Sequence, residues 1–130
     1  MGCPISLAVV CFLGVVAHHP AAAKEFVFQG NPSSQSASSR NTKIFNEVLA
    51  GLRSGDSVLI KNETYWLAGG VRGSGLDNVT IQLDGTLKFL PGRKAWPTEK
   101  CVEKRNPLQP KKTGTCVQEA IFFANCTGLT

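Results

Sequence analysis

Residues 55–89 read GDSVLIKNETYWLAGGVRGSGLDNVTIQLDGTLKF, and this segment contains most of the strand signals in the chain. Short runs rich in β-branched and aromatic residues alternate here with Asn, Asp and Gly, which are typical of turns. The pattern, with one later run, predicts a mostly β chain with strands at Ser57–Ile60, Thr64–Leu67, Val79–Leu83, Thr86–Phe89 and Glu119–Phe123.

Two arrangements of these strands fit the local pattern. In the first, VTIQLDGTLKF (residues 79–89) forms an antiparallel hairpin, because Asp84-Gly85 suits a two-residue turn with positive φ angles. In the second, each turn of a solenoid contributes short strands that stack in parallel on the strands of the next turn. The similar strand lengths and the lack of long crossover helices suit this solenoid. The local pattern leaves both arrangements open.

One amphipathic helix precedes the strands. Apolar residues recur at helical spacing through Ile44, Val48 and Leu52, with Phe45 and Leu49 on the same face, which predicts a helix over about Thr42–Arg53. Asn41 is expected to cap the N-terminus of this helix. In a solenoid the helix would cover the open apolar end of the first turn, with Ile44, Val48 and Leu52 facing it.

The first 23 residues have the pattern of a cleavable signal peptide. Leu7–Ala17 is an unbroken run of apolar or small residues that is too short to span a bilayer. Pro20 follows it, and Ala21–Ala23 then offers the small residues that a signal peptidase requires. We therefore expect a secreted, extracellular protein that begins at Lys24 and has no membrane anchor.

The mature chain is expected to have two parts. Residues 24–41 are predicted to be a polar, flexible lead-in, because residues 29–41 are rich in serine and have no apolar face. Residues 42–130 are predicted to form the folded domain. Three N-x-Ser/Thr sequons fit export, and each would place a glycan on a surface turn: Asn62, Asn78 and Asn125.

The formal net charge is +5, and the basic excess is concentrated in one segment. Between Arg93 and Lys112, seven basic residues accompany only Glu99 and Glu103. Such a segment is either a solvated loop or a site that attracts an acidic polysaccharide, whereas export disfavours nucleic acid as a partner. Cations can meet carboxylates and an indole can stack on a sugar, so the candidate substrate-binding residues are Arg93, Lys94, Trp96, Lys111 and Lys112. Trp96 could equally anchor the loop against the domain.

Three cysteines remain after residue 23, which suits an oxidising compartment. Cys101 and Cys116 bracket the basic segment, and a disulfide between them would contribute about 3 kcal/mol by closing that loop. Cys126 is then left over. The chain after residue 23 has no histidine and no close cysteine pair, so neither a metal nor another cofactor is predicted.

The helix, residues 55–89 and CVQEAIFFANCTGLT (residues 116–130) together resemble the N-terminal end of polygalacturonases, the pectin-degrading glycoside hydrolases. The family pattern is GG-x-V-x-(I/V)-P-x-G-x-Y, then S-N-V-T-L-x-L-x-G-x-L, then a strand leading into N-V-x-(I/V)-x-G. The matching segments in this chain are Ser57–Ile60 with Thr64–Leu67, Leu76–Val79 with Ile81–Leu87, and Ile121–Leu129.

The resemblance implies the N-terminal coils of a right-handed parallel β-helix, of the pectin lyase-like type, over residues 42–130. The predicted helix would cap the first coil. The implied partner is an acidic cell-wall polysaccharide of the plant or algal type, such as pectin.

The family reaction is inverting hydrolysis of α-1,4 bonds between galacturonate units. It needs a general acid and a water-activating carboxylate about 6.5–9.5 Å apart. The family's N-x-D, Asp-Asp, G-H-G and R-I-K motifs are missing from these 130 residues, and Asp77 and Asp84 lie in turn contexts, so no catalytic residue is predicted. Two functions stay open. One is a polygalacturonase-like fragment without its catalytic motifs, and the other is a non-catalytic secreted β-helix protein that binds acidic cell-wall polysaccharide.

Overall fold

A computed structural model describes residues 22–103 and 112–130. Within these ranges the chain is mostly strand with one α-helix, as the sequence predicts. The elements in chain order are β1 (Glu25–Val27), α1 (Ser38–Gly51), β2 (Ser57–Ile60), β3 (Thr64–Leu67), β4 (Val71–Ser74), β5 (Thr80–Leu83), β6 (Thr86–Phe89), β7 (Thr98–Glu103), β8 (Lys112–Val117) and β9 (Ile121–Ala124), with 3₁₀ turns at Gln35–Ala37 and Arg93–Ala95.

Three short parallel sheets form the body of the molecule. β2 lies between β1 and β5, β6 pairs with β3, and β9 pairs with β4. We call β2, β3 and β4 the first layer, and β5, β6 and β9, which stack on it, the second layer. The fourth sheet is an antiparallel hairpin of β7 and β8, inserted between β6 and β9.

The antiparallel hairpin across Asp84-Gly85, one of the two arrangements that the local pattern leaves open, does not form. β5 and β6 each pair in parallel with a strand of the first layer, and neither Asp84 nor Gly85 has a positive φ. The Asp84 N–H instead donates to the Ile60 carbonyl, and the Thr86 N–H donates to the Glu63 carbonyl, both at 2.9 Å. The turn between β5 and β6 therefore follows the turn of the layer beside it.

The inward-facing side chains of the first layer form the core. Burial alternates along β2 and β3, as expected for strands with one buried face. Phe28, which follows β1, packs its ring 5.3 Å from Phe45 and 4.9 Å from Tyr65. Burying each such side chain stabilises the fold by about 1.5–3 kcal/mol. The first-layer residues that are at most 1 % exposed are Val58, Ile60, Tyr65, Leu67 and Val71.

α1 covers one side of this core. Phe45 and Leu49 are its most buried apolar side chains, at 2 % and 1 % exposed. The predicted facing residues Ile44, Val48 and Leu52 also pack against the core, but they are only partly buried. Phe45 and Leu49, which belong to the same predicted face, thus form its buried centre.

The helix boundaries and the cap differ from the prediction. α1 begins at Ser38 and ends at Gly51, so each end precedes the corresponding end of Thr42–Arg53. Asn41 lies inside the helix and is fully buried rather than capping it. Its amide accepts from the Asn31 N–H at 2.8 Å and donates to the Asn31 and Trp66 carbonyls at 3.0 Å each. These bonds to neighbouring segments explain why a capping residue type is found in mid-helix.

The predicted lead-in, residues 24–41, carries regular structure. It contains β1, paired with β2, and the first turn of α1. Phe28 is 2 % exposed, and Phe26 packs against the core. These two phenylalanines supply apolar contacts that the serine-rich composition conceals. The predicted signal peptide lies outside the described residues except for Ala22 and Ala23.

Substituting Gly85 tests the stacked layers directly. A Cβ at Gly85 would clash with backbone atoms of Lys61 and Glu63 in the neighbouring turn. We expect Gly85→Ala to lower the free energy of unfolding by at least about 2 kcal/mol, because backbone cannot yield as a flexible side chain can. Urea unfolding measures this.

Gly51→Ala is the matched control, because a Cβ at this helical position meets nothing within 4 Å. We expect the control to be neutral or to stabilise by up to about 1 kcal/mol. A Gly85→Ala cost below about 0.5 kcal/mol would contradict the observed packing.

Candidate functional site

An open groove lies between α1 and the segment that follows β6. It consists of two adjoining hollows of about 520 and 240 Å³, which share Ser39, Thr42 and Pro97. The larger hollow extends to Asn46 and Gln118, and the smaller one extends to Trp96. We call this feature the α1 groove.

Polar side chains of α1 fix the floor of the groove. Thr42 Oγ1 accepts from the Ala68 N–H at 3.0 Å. Asn46, one helical turn later, donates to the Gly70 carbonyl at 3.0 Å and accepts from the Arg72 N–H at 2.9 Å. Residues one turn apart on a helix lie on the same face, so α1 holds the whole connection from β3 to β4.

Two glycines let the opposite wall of the groove, formed by Trp96 and Pro97, approach this floor. Gly69 and Gly70 have φ angles of 78° and 72°, which non-glycine residues adopt only with strain. A Cβ at Gly69 would clash with the Trp96 ring, and one at Gly70 would lie 2.7 Å from Pro97. The Gly69-Gly70 pair therefore allows both the turn and the contact with the wall.

Trp96 anchors the wall to the body. Its Nε1–H donates to the Leu90 carbonyl at 3.1 Å, and its ring centre lies 5.9 Å from that of Phe89. The half-buried ring also lines the smaller hollow. The structure thus gives Trp96 the anchoring role that the sequence left open, while keeping part of its ring at the groove.

The predicted cations are only partly brought together. Arg93 and Lys94 lie exposed in the 3₁₀ turn directly before Trp96. Lys43 of α1, which the sequence analysis missed, lines the groove with its side chain 79 % exposed, 3.9 Å from Glu47. Lys111 lies outside the described residues, and Lys112 is placed only as the first residue of β8.

A second charged cluster ties the hairpin to the body. Arg72 Nη2 lies 2.7 Å from Glu99 Oε2 on β7 and 3.6 Å from Glu119 Oε2 before β9. The guanidinium also lies 5.4 Å from the centre of the Phe122 ring. The Arg72 Nε is buried and has no hydrogen-bond partner among the described residues. Nothing in the sequence spacing indicates this cluster, because its members come from three separate segments.

The two glutamates of this cluster are carboxylates that share one cationic partner. Both contact the same guanidinium nitrogen, which neutralises charge and holds β7 beside β4. We therefore assign them to docking of the hairpin rather than to acid–base chemistry.

The hairpin is also closed covalently. Cys101 on β7 and Cys116 on β8 form a disulfide with their Cα atoms 5.7 Å apart, within the usual range. Cys126 is free, and its Sγ–H donates to the Ala124 carbonyl at 3.3 Å.

The sequon asparagines and the turn aspartates lie at the surface. Asn62, Asn78 and Asn125 are all exposed, and the latter two have φ angles of 49° and 52°. Asp77 accepts from the Ser54 and Thr127 hydroxyls, and Asp84 accepts from Gln82. Asp84 thus makes a local turn contact, whereas Asp77 links its turn to two segments that are distant in sequence. In the described ranges, no three His, Cys, Asp or Glu side chains are grouped as metal ligands.

Comparisons with known protein families, with curated proteins and with solved structures found no match for this chain. In the part of the chain that the structure describes, no helix is both long and apolar enough to cross a membrane.

Substitution of Trp96 separates anchoring from ligand contact. We expect Trp96→Ala to cost about 2–4 kcal/mol of unfolding free energy in the absence of any ligand, because it removes the contacts to Gly69 and Phe89. Lys94→Ala, two residues away and exposed, should stay within about 0.5 kcal/mol. Chemical denaturation of both variants measures the difference, and equal stability of the two would refute the anchoring role.

Proposed function

We propose that this chain is a secreted, polygalacturonase-like protein, built as a right-handed parallel β-helix, which binds acidic cell-wall polysaccharide such as pectin without hydrolysing it. The observation that carries the proposal is the α1 groove, in which the Trp96 ring, the exposed Lys43 and polar side chains line one open surface, with Arg93 and Lys94 exposed in the turn directly before Trp96.

The strand pairing supports the β-helix. Ser57 pairs with Thr80, Thr64 with Thr86 and Val71 with Ile121, so three consecutive strands repeat in the same order and direction. Parallel strands joined by a crossover are almost always right-handed, which favours that hand here. In the polygalacturonase-like proposal, α1 is the cap of the first coil and the β7–β8 hairpin is an insertion in the second.

The chemistry of the groove suits a uronate polymer. A galacturonate unit carries one carboxylate and several hydroxyl groups. Lys43, Arg93 and Lys94 offer exposed cations for the carboxylates. Asn46 and Gln118 offer amides near the hydroxyl groups, although Asn46 already bonds backbone on two sides. An open groove also suits a polymer better than a closed pocket does, because a bound polysaccharide extends beyond the site at both ends.

Export is supported by independent features. The disulfide between Cys101 and Cys116 is a bond that persists in oxidising compartments. Exposed sequon asparagines at three turns are positions where a glycan would meet solvent.

The alternative function is hydrolysis of α-1,4-galacturonosyl bonds. It requires one carboxylic acid and one carboxylate that face a bound sugar from opposite sides. In residues 22–103 and 112–130, the only two carboxylates that share a partner are Glu99 and Glu119, and Arg72 occupies both. This favours binding over hydrolysis for the chain in hand.

Binding is tested with polygalacturonate. We expect Arg93→Gln/Lys94→Gln to weaken binding about fivefold to tenfold, because each exposed cation contributes up to about 1 kcal/mol. Isothermal titration calorimetry at two salt concentrations measures the loss, which should shrink at high salt. Lys61→Gln/Lys88→Gln is the matched control, because it also removes two charges from exposed side chains and neither lysine lines the groove. Equal weakening by both variants would mean that net charge, not the groove, governs binding.

Catalysis is tested separately, by release of reducing ends from polygalacturonate. We expect no turnover by the secreted chain, because loss of general acid and general base together removes two contributions of about 10²–10⁴-fold each. A polygalacturonase that carries the full family motifs is the positive control. Activity within tenfold of that control would establish the hydrolase instead.

A further inference from the structure

Asp56 is a buried carboxylate that the groove does not use. It lies directly before β2, with 5 % of its surface exposed. Its Oδ1 accepts from the Lys24 backbone N–H at 2.9 Å, and its Oδ2 accepts from the Arg53 backbone N–H at 2.8 Å. Two backbone donors thus fix both of its oxygens.

The environment favours the charged form of this carboxyl. The hydrogen bonds from the Arg53 and Lys24 N–H groups lower the pKa of Asp56, with a smaller contribution from the positive charges of the same two residues, and these outweigh burial. The two basic residues that line the hollow beside Asp56 are Lys24 and Arg53. None of the described ion pairs involves Asp56, so a full negative charge is held here mainly by neutral peptide groups.

The donor on Lys24 is the atom that processing would change. Lys24 is the expected first residue after the signal peptide, and its backbone nitrogen is the one that would become the α-amine. Ala22, Ala23 and Lys24 are exposed, so the Ala23–Lys24 bond is accessible. The Lys24 carbonyl is held as well, because it accepts from the Ser57 N–H at 2.8 Å. Lys24 is therefore fixed beside Asp56 on both sides of its Cα.

We propose that cleavage of the Ala23–Lys24 bond creates an ion pair between the α-ammonium group of Lys24 and the buried carboxylate of Asp56, so that processing stabilises the fold. In this step an endopeptidase of the secretory pathway adds water across the amide. Ala23 leaves with a carboxylate, and the Lys24 nitrogen gains a hydrogen and is protonated at neutral pH. A hydrogen bond from a neutral amide thereby becomes a charge-assisted one on the same acceptor.

The ion pair would fasten the first strands of the fold. β1 follows Lys24 directly and pairs with β2, and Asp56 precedes β2. The Asp56 carbonyl also accepts from the Thr80 N–H at 3.1 Å, which links it to β5. All three strands of the largest sheet therefore begin beside Asp56, two of them next to its carboxylate and the third at its backbone carbonyl.

The inference rests on the proposed secretion, and the experiment separates the two. The full-length gene is expressed in a eukaryotic secretory host, and the secreted protein is sequenced from its N-terminus. A second gene carries Gly-Ser between Ala23 and Lys24, which keeps the Lys24 N–H as a peptide donor but moves the ammonium group away. Both are also made with Asp56→Asn, which retains an acceptor oxygen but no charge.

The Gly-Ser insertion should lower the Tm of the Asp56 protein by about 4 °C or more at pH 7, and should leave the Tm of the Asp56→Asn protein unchanged. The α-amine pKa of the secreted Asp56 protein, measured by pH-dependent amine labelling and mass spectrometry, should exceed that of the insertion variant. The pH dependence of stability follows from linkage. Because the ion pair raises the α-amine pKa in the folded state, its stabilisation of the fold is complete below the ordinary amine pKa of about 8 and is lost as pH rises through the raised value.

Each outcome decides. Retention in the cell, or an N-terminus other than Lys24, would overturn both the inference and the proposed processing. An N-terminus at Lys24 with equal Tm values and equal amine pKa values would overturn the ion pair alone. If Asp56→Asn is not secreted, the comparison of the two Asp56 proteins still decides, because both keep the carboxylate.

Discussion

The rest of the structure depends on covering a single apolar layer. The side chains of this layer point inward from three consecutive strands and belong to Val58, Ile60, Tyr65, Leu67 and Val71. Each strand of the first layer has only four residues, so no sheet here could persist alone. Stability comes from neighbours: β1, Phe28 and α1 on one side, and the second layer on the other. The second layer has no such cover in the described ranges. Its inward residues line an open apolar hollow of about 410 Å³, and Leu83 is 50 % exposed.

The first layer has a backbone edge as well as an apolar face, and the two are covered by different means. β1 continues the sheet above β2 with main-chain hydrogen bonds. Above β3 and β4 a helix takes its place, and a helix has no free backbone groups along its side to offer. Asn41, Thr42 and Asn46 replace them, because their side chains bond to the backbone of Trp66, Ala68, Gly70 and Arg72. Polar residues in mid-helix are thus the means by which α1 substitutes for a strand.

The sequence pattern predicted where the strands lie better than it predicted which strands pair. The bounds of β2, β3 and β6 are confirmed residue for residue, because their turns are marked by Asn, Asp and Gly. β4 was missed, since Gly73 and Ser74 weaken its pattern, and β7 and β8 were missed within the basic segment. Gly85 suggested a hairpin, yet the glycine is required by close approach to a neighbouring turn that is distant in sequence. Residues at or beside the groove were predicted where they are contiguous in sequence, at Arg93, Lys94 and Trp96. The contributions of Lys43 and Asn46 were not, because they belong to the polar face of a helix.

The groove and the fold share residues, and this limits which positions can report on binding. The floor is made by the Thr42 and Asn46 bonds that close the edge of the first layer, so substitutions there change stability before they change affinity. The same holds for Trp96 in the wall, because its ring fills the space left by Gly69. The hairpin beyond it is held by the Arg72 ion pairs and by the disulfide, which keep the wall in one position relative to α1. The exposed cations Lys43, Arg93 and Lys94 differ, because their described contacts contribute little to the stability of the fold. The one ion pair among them joins Lys43 to Glu47, and it is exposed and weak. Among the cations that the structure describes at or beside the groove, a ligand that depends on charge would therefore act through these three side chains, while the uncharged surface of the groove supplies shape that the fold itself maintains.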